Sequence, residues 1–204
     1  MQNAASDMSE KPERENLQKK WNCRYSVAEG EPRAARVLQE NSHLLPVSGD
    51  ALDLACGLGG NALFLAKRGL SVQAWDLSSV AIETLQLRAT AETLPLKAVV
   101  RDVIAQPPSA AAFDVIVVGY FLQRELTVAL CAALRPGGLL FYQTFIKERV
   151  TQQGPNNPDF LLAENELLTM FAPLRVRLYR EEGRVGNIAQ GLRNEALFIG
   201  QKME

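Results

Sequence analysis

The 204-residue sequence holds one histidine and three cysteines, and no apolar run in it reaches membrane-spanning length. The lone histidine, His43, precedes every strand-like segment and reads as a surface residue, not a general base. Cys23, Cys56 and Cys131 are odd in number and scattered without metal-ligand spacing, so no metal site is expected. No charged-then-apolar leader pattern opens the chain, and a reduced, cytoplasmic setting is the simplest expectation. An excess of one charge is missing too, since 22 Lys+Arg against 23 Asp+Glu leave a net charge of -1. That balance gives no electrostatic footprint for duplex nucleic acid, so neither a nucleic-acid nor a membrane partner is expected. What is present is ordinary for a globular domain: 47% hydrophobic and 22% charged residues, enough for one full core in a monomer or a homodimer.

Met1 to about Gln18 is polar and nearly free of large apolar side chains, which predicts a mobile tail over 1–18 and a single domain over 19–204. Trp21 to Tyr25 breaks that pattern with two aromatics beside Arg24, suited to anchoring a helical segment or to closing over a site. A helical stretch follows, with Pro32 near its start and Ala35 and Leu38 facing a core. From Asp50 onward, strand-like and helix-like runs alternate. Residues 51–55, 71–75, 96–100, 113–118 and 139–145 read as strands, and the segments between them carry helical spacing, as at Ile82, Leu85 and Ala89. Parallel strands need crossover helices, so this alternation predicts an α/β fold with a doubly wound, mostly parallel sheet. After a loop over 147–160 and a short helix at about 164–171, the strand-like runs 174–179 and 194–199 should pair as a C-terminal antiparallel hairpin.

An open parallel sheet binds ligands outside the carboxyl ends of its strands. The residues with chemical character in this chain fall there. The run Leu52-Asp53-Leu54-Ala55-Cys56-Gly57-Leu58-Gly59-Gly60-Asn61 ends a buried strand in an acid and a small-residue loop, then opens a helix. Asp76, nineteen residues past Gly57, ends the second strand, where a carboxylate can hold a ribose diol. Asp102 follows the third strand, and Gly119-Tyr120 the fourth. The expectation is an adenosine-containing cofactor. The glycines do not say which one, because Gly57-x-Gly59-x-x-Ala62 with Asp76 also fits the dinucleotide fingerprint of an NAD(P)-binding oxidoreductase. Three features favour S-adenosylmethionine. Asp53 could meet a cofactor ammonium and would repel pyrophosphate, Asp102 offers an acceptor to an adenine amine, and a late antiparallel hairpin is foreign to the all-parallel dinucleotide sheet.

On these residues the chain resembles the class I S-adenosylmethionine-dependent methyltransferases. The 52–61 run is similar to their motif I, and Asp76, Asp102 and Leu134-Arg135-Pro136-Gly137-Gly138 to their later motifs, in the same order. Trp21-Asn22-Cys23-Arg24-Tyr25 and Ala163-Glu164-Asn165-Glu166-Leu167 resemble the tellurite-resistance branch, a relative of the thiopurine methyltransferases. The resemblance implies a seven-stranded Rossmann-like sheet whose last strand is antiparallel. It also implies a cofactor site of Asp53, Ala55, Cys56, Gly57, Gly59, Asn61, Asp76, Leu77, Asp102, Val103, Gly119 and Tyr120, with S-adenosylhomocysteine as product. In that site Asp53 would neighbour the methionine amino group, and Gly57 and Gly59 would pass beneath the cofactor. Asp76 would hold the ribose hydroxyls, Asp102 and the Val103 amide the adenine, and Gly119 and Tyr120 would flank the sulfonium. Ala55 departs from the glycine frequent in the family.

Methyl transfer from a sulfonium is an in-line displacement with a neutral leaving group, so the protein mainly aligns the partners and excludes water. Tyr120 is the candidate catalytic residue, an aromatic placed to stabilise the positive charge. Neither histidine, nor paired carboxylates, nor an Asn-Pro-Pro-Tyr-like signature follows the fourth strand, where the residues are Gly119-Tyr120-Phe121-Leu122. A soft or already anionic small-molecule acceptor is therefore expected, a thiol or a chalcogen oxyanion such as tellurite. Trp21, Arg24, Tyr25 and Gln143 are the candidate substrate contacts. Plainer roles compete. Asp53 could tie down the loop through backbone amides, Asp102 could close a turn, and Cys56 reads as a small loop residue. A non-catalytic S-adenosylmethionine-binding module is the remaining alternative.

Overall fold

A computed structural model describes residues 5–204, with side chains from residue 14 onward. The polar N-terminal segment, where a tail was expected over 1–18, is helical over Ala5–Ser26 (α1), and residues 1–4 of that expected tail lie outside the described residues. Its Glu, Lys, Arg and Gln residues favour helix, those from residue 14 onward bury little, and an isolated helix of this length is marginal in water. Hydrogen bonds to the body of the domain hold it: Asn22 Oδ1 accepts from Ser78 Oγ at 2.7 Å, and Gln18 Nε2 donates to the Leu77 carbonyl at 3.0 Å. The helical stretch expected after Pro32 is shorter than its spacing suggested. Only Arg36–Glu40 (α2) is α-helical, followed by a single 3-10 turn over Ser42–Leu44.

Asp50–Leu54 (β1) and Phe113–Gly119 (β4), both largely buried, lie side by side in parallel at the centre of the sheet. Ser71–Asp76 (β2) and Leu96–Val100 (β3) extend the parallel sheet beyond β1, and Leu134–Phe145 (β5) extends it beyond β4. Arg175–Glu181 (β6) and Glu195–Gln201 (β7) form the expected antiparallel pair, and the full order is β3-β2-β1-β4-β5-β7-β6. Their placement follows their composition. Residues 195–200 are all buried in β7, which sits between β5 and β6, while β6 carries Arg175 and Arg177 and takes the solvated edge. Pro136-Gly137-Gly138 interrupts β5: its pairing with β4 jumps from Phe113–Leu134 to Val115–Leu139.

Alternate residues of β4 enter opposite cores. Val115 and Val117 pack with Leu38 of α2, Leu65 of Gly60–Ala66 (α3) and Leu85 of Ser79–Ala91 (α4). Ile116 and Val118 pack with Leu130 of Thr127–Ala133 (α5) and Leu167 of Glu166–Met170 (α6). Helices on both faces explain why these strands read as continuous apolar runs. The strand order reverses between β1 and β4, so their carboxyl ends open the ligand crevice. Among the described residues, no helix is long and apolar enough to cross a membrane.

Candidate active site

The loop after β1 is a tight, strained turn. Ala55, Gly57 and Gly59 all have positive φ, at 55°, 52° and 80°, and the Gly59 amide closes on the Cys56 carbonyl at 2.9 Å. Ala55 therefore holds, at a cost of about 1–2 kcal/mol, a conformation that glycine adopts freely. The two glycines serve different contacts. A Cβ on Gly59 would stand 2.3 Å from Leu85 Cδ1, so this glycine lets the loop close on α4. A Cβ on Gly57 would stand 2.8 Å from the Tyr25 hydroxyl, which places α1 directly over the loop. Cys56 is buried, and burial pushes its thiol well above the usual range, which suits packing better than nucleophilic chemistry.

Asp76 at the end of β2 fixes this loop to the next one. Its Oδ2 accepts the Gly57 amide and its Oδ1 the Ser78 amide, both at 2.8 Å. Each oxygen keeps a further lone pair for a ligand hydroxyl. Burial raises its pKa above the usual carboxylate range, and the backbone amides only partly offset that.

Asp53 has no exposed surface, and its carboxylate is engaged by the loop and helix that follow it. Oδ2 accepts the Ala62 amide at 3.0 Å and Oδ1 accepts Asn61 Nδ2 at 3.2 Å, so the carboxylate caps the first turn of α3. Asn61 in turn accepts the Ala35 amide at 2.8 Å, tying α2 to the crevice. Burial pushes the Asp53 pKa up to about 7 against those two hydrogen bonds. Asp102 likewise accepts the Ile104 and Ala105 amides through Oδ1, while Oδ2 meets Arg14 Nε of α1 at 3.2 Å. Val103 beside it is buried. Arg14, Gln18, Asn22 and Tyr25 thus present one stripe of α1 to Asp102, Leu77, Ser78 and Gly57, along one edge of the crevice.

The other half of the crevice is a cavity of about 420 Å³ bordered by Arg36, Tyr120, Gln143, Thr151, Asn194 and Glu195, among others. Tyr120 has φ of 57° for a bulky residue, a strained conformation worth about 1–3 kcal/mol. Its surroundings impose that conformation. Its amide continues the ladder to the Gln143 carbonyl at 2.7 Å, its ring lies 5.2 Å from that of Phe145, and its hydroxyl meets Gln143 Nε2 at 2.9 Å and Glu195 Oε2 at 3.3 Å. Tyr120 is 51% exposed as a whole, but desolvation at its hydroxyl, reinforced by Glu195, raises its pKa to about 12, which keeps the phenol protonated. Asn194 Oδ1 accepts the amides of Val150 and Thr151 at 3.0 and 3.2 Å, drawing the 147–160 loop over the cavity.

Of the four candidate substrate contacts, only Gln143 lines this cavity. Tyr25 lies over Gly57, and Arg24 stacks over Trp21, 5.4 Å from the ring centroid, on the same helix. The Glu166 signature is structural, since it pairs with Arg124 at 2.5 Å and accepts the Ala163 amide at 2.7 Å. Sequence reasoning missed Glu195. The signal was there, an acid at the head of an otherwise apolar strand, but nothing local pairs it with residues 120 and 143. Among the described residues no cluster of three or more His, Cys, Asp or Glu is placed to hold a metal ion.

A seven-stranded sheet with the last strand antiparallel, a glycine turn after β1 and an acid closing β2 together define the class I, Rossmann-like methyltransferase fold. Residues 51–138 match the family model described as Methyltransferase domain, less than half of the chain. "Hemagglutinin 1" of Eikenella corrodens is 34% identical over 139 residues, 64% of this chain and 45% of that protein. "Ubiquinone biosynthesis O-methyltransferase" of Albidiferax ferrireducens is 34% identical over 113 residues, 50% of this chain and 44% of that protein. The chain spans less than half the length of these two relatives. Among solved structures, TehB from Haemophilus influenzae has a TM-score of 0.66 at 22% identity, covering 91% of this chain and 66% of that one, a likeness of fold.

Proposed function

We propose that this chain transfers the methyl group of S-adenosylmethionine to a small-molecule acceptor seated in the cavity beside Tyr120. The observation that carries this reading is the Asp76 carboxylate, which clamps the glycine loop through backbone amides and keeps one lone pair on each oxygen for the ribose diol. The donor set suits the rest of the cofactor: Asp102 for an adenine amine, the Val103 amide for the ring, and the Tyr120 ring for the sulfonium. When bound, the cofactor supplies an electrophilic methyl on a good leaving group. Asp53 acts on it indirectly, through the α3 cap and Asn61.

In this reading α1 is a lid. Tyr25 fills the space over Gly57, so the helix swings aside for the cofactor to enter and closes again on Asp102, Leu77 and Ser78. A thiol is the favoured acceptor among the soft nucleophiles. A chalcogen oxyanion is disfavoured, because Glu195 borders the cavity and two like charges a few ångströms apart repel by about 4 kcal/mol at an effective dielectric near 20. The three free cysteines suit a reduced, cytoplasmic setting. The test is production of S-adenosylhomocysteine from a panel of thiols, phenols, alcohols, selenite and tellurite, with Asp76→Ala as control. Turnover of a small acceptor that is lost in the variant supports the reading. Tight cofactor binding with no acceptor methylated supports a binding module instead.

A further inference from the structure

Glu195 is an acid within a buried strand. Every residue from Glu195 to Gly200 in β7 is buried, and Glu195 itself is 7% exposed. A carboxylate in such a place is costly unless cations or hydrogen bonds compensate it. No ion pair among the described residues includes it. The nearby arginines are engaged elsewhere. Arg36 pairs with Glu40 at 3.0 Å, and the Arg193 guanidinium donates to the carbonyls of Gly183, Val185 and Asn187.

Both hydrogen bonds that Glu195 does receive fall on one oxygen, Oε2, from Gln143 Nε2 and from the Tyr120 hydroxyl. Neither donor is free to turn away. Gln143 is 1% exposed and its Oε1 accepts the Val37 amide at 2.8 Å, so an amide flip would set its NH₂ against that N–H. The Tyr120 oxygen already accepts from Gln143, so its own proton points to Glu195. Oε1 of Glu195 has no partner among the described residues. Nor is it sealed off, because no fully buried polar side-chain atom there lacks a partner. Glu195 borders the cavity beside Tyr120, the space into which an accessible oxygen of an otherwise buried residue can open. A chain from the Val37 amide through Gln143 and Tyr120 thus holds one carboxylate oxygen and leaves the other for a ligand that donates a proton.

We infer that Glu195 is the general base of the acceptor site, and that the acceptor is a neutral small molecule whose reacting atom carries a proton, a thiol or a hydroxyl. The inference rests on the methyl-transfer reading above. In the step, a lone pair on the acceptor sulfur or oxygen forms a bond to the methyl carbon. The bond from that carbon to the sulfonium sulfur breaks, and its electron pair stays on sulfur, giving neutral S-adenosylhomocysteine. The acceptor proton passes to Glu195 Oε1, which returns it to water after product leaves. One positive and one negative charge are consumed, so the step leaves no net charge in the cavity.

The experiment compares wild-type protein with Glu195→Gln, which keeps an oxygen for the Gln143 bond. S-adenosylhomocysteine affinity is measured by calorimetry, and kcat and KM across pH with thiols, phenols, alcohols and tellurite. The expected result is turnover of a thiol or a hydroxyl compound by wild type. In Glu195→Gln, cofactor affinity and KM should stay within about threefold while kcat falls at least about 100-fold. A thiol acceptor should regain rate in the variant as rising pH ionises it, which a merely structural role would not produce. Unimpaired kcat in Glu195→Gln overturns the inference, as does a preference for tellurite or the absence of any thiol or hydroxyl turnover while S-adenosylhomocysteine binds. Absence of S-adenosylhomocysteine binding to wild type overturns the methyl-transfer reading, and this inference with it.

Discussion

Asp76 and Glu195 are both buried carboxylates in one crevice, yet they are held in opposite ways. Asp76 takes a backbone amide on each oxygen, from Gly57 and Ser78, and Asp53 and Asp102 nearby also accept backbone amides. Glu195 takes two side-chain donors on a single oxygen. A carboxylate anchored by backbone fixes the shape of its loops and suits a ligand that never varies. One that depends on side chains can be retuned by a single substitution, which suits the partner that distinguishes one methyltransferase from another. On the proposed reading, the cofactor half is built into the fold and the acceptor half is added to it.

The sharpest way to break this contrast is Asp76→Ala. It leaves two buried amides without an acceptor and removes the diol ligand, so S-adenosylhomocysteine affinity should fall at least about 100-fold by calorimetry. If Glu195→Gln weakened the cofactor as much, the two halves would not be separable.

A smaller effect is expected from Asp53. Its folded pKa of about 7 lies above the ordinary carboxylate value of 3.8, so the native state binds more protons between those limits. Stability contributed by the protonated form is present at low pH and lost as pH rises from about 4 to about 7. Urea unfolding midpoints should fall across that window in wild type and vary less in Asp53→Asn. An opposite slope in wild type would place the ionised form as the preferred buried one.

The smallest effect tests the lid. Gln18→Ala removes one α1 bond, worth about 0.5–1.5 kcal/mol, so stopped-flow rates of S-adenosylhomocysteine binding and release should both rise about two- to fivefold with little change in Kd. Release alone speeding up would make α1 a contact surface and not a gate.

Legibility in the sequence followed the same division. The parallel sheet, the hairpin and the Gly57–Asp76 pair were readable because each rests on short-range patterning or on one fixed spacing across a βαβ unit. Glu195 was not, since residues 37, 120, 143 and 195 meet only once β5 and β7 pair and β4 ends beside them. The N-terminal helix escaped for a different reason. Its polar composition resembles that of a disordered tail, and its partners at Leu77, Ser78 and Asp102 lie more than fifty residues away. For Asp53 two roles stood open, and the structure shows the α3 amide as a partner of its carboxylate. Backbone capping and ligand contact cannot be told apart from residue type alone.

The central claim, that the crevice after β1 is built for S-adenosylmethionine and not for a dinucleotide, is tested most directly by titrating the purified protein with S-adenosylhomocysteine and, separately, with NADH. The account predicts saturable one-site binding of S-adenosylhomocysteine and none of NADH. Tight NADH binding without S-adenosylhomocysteine binding would contradict it.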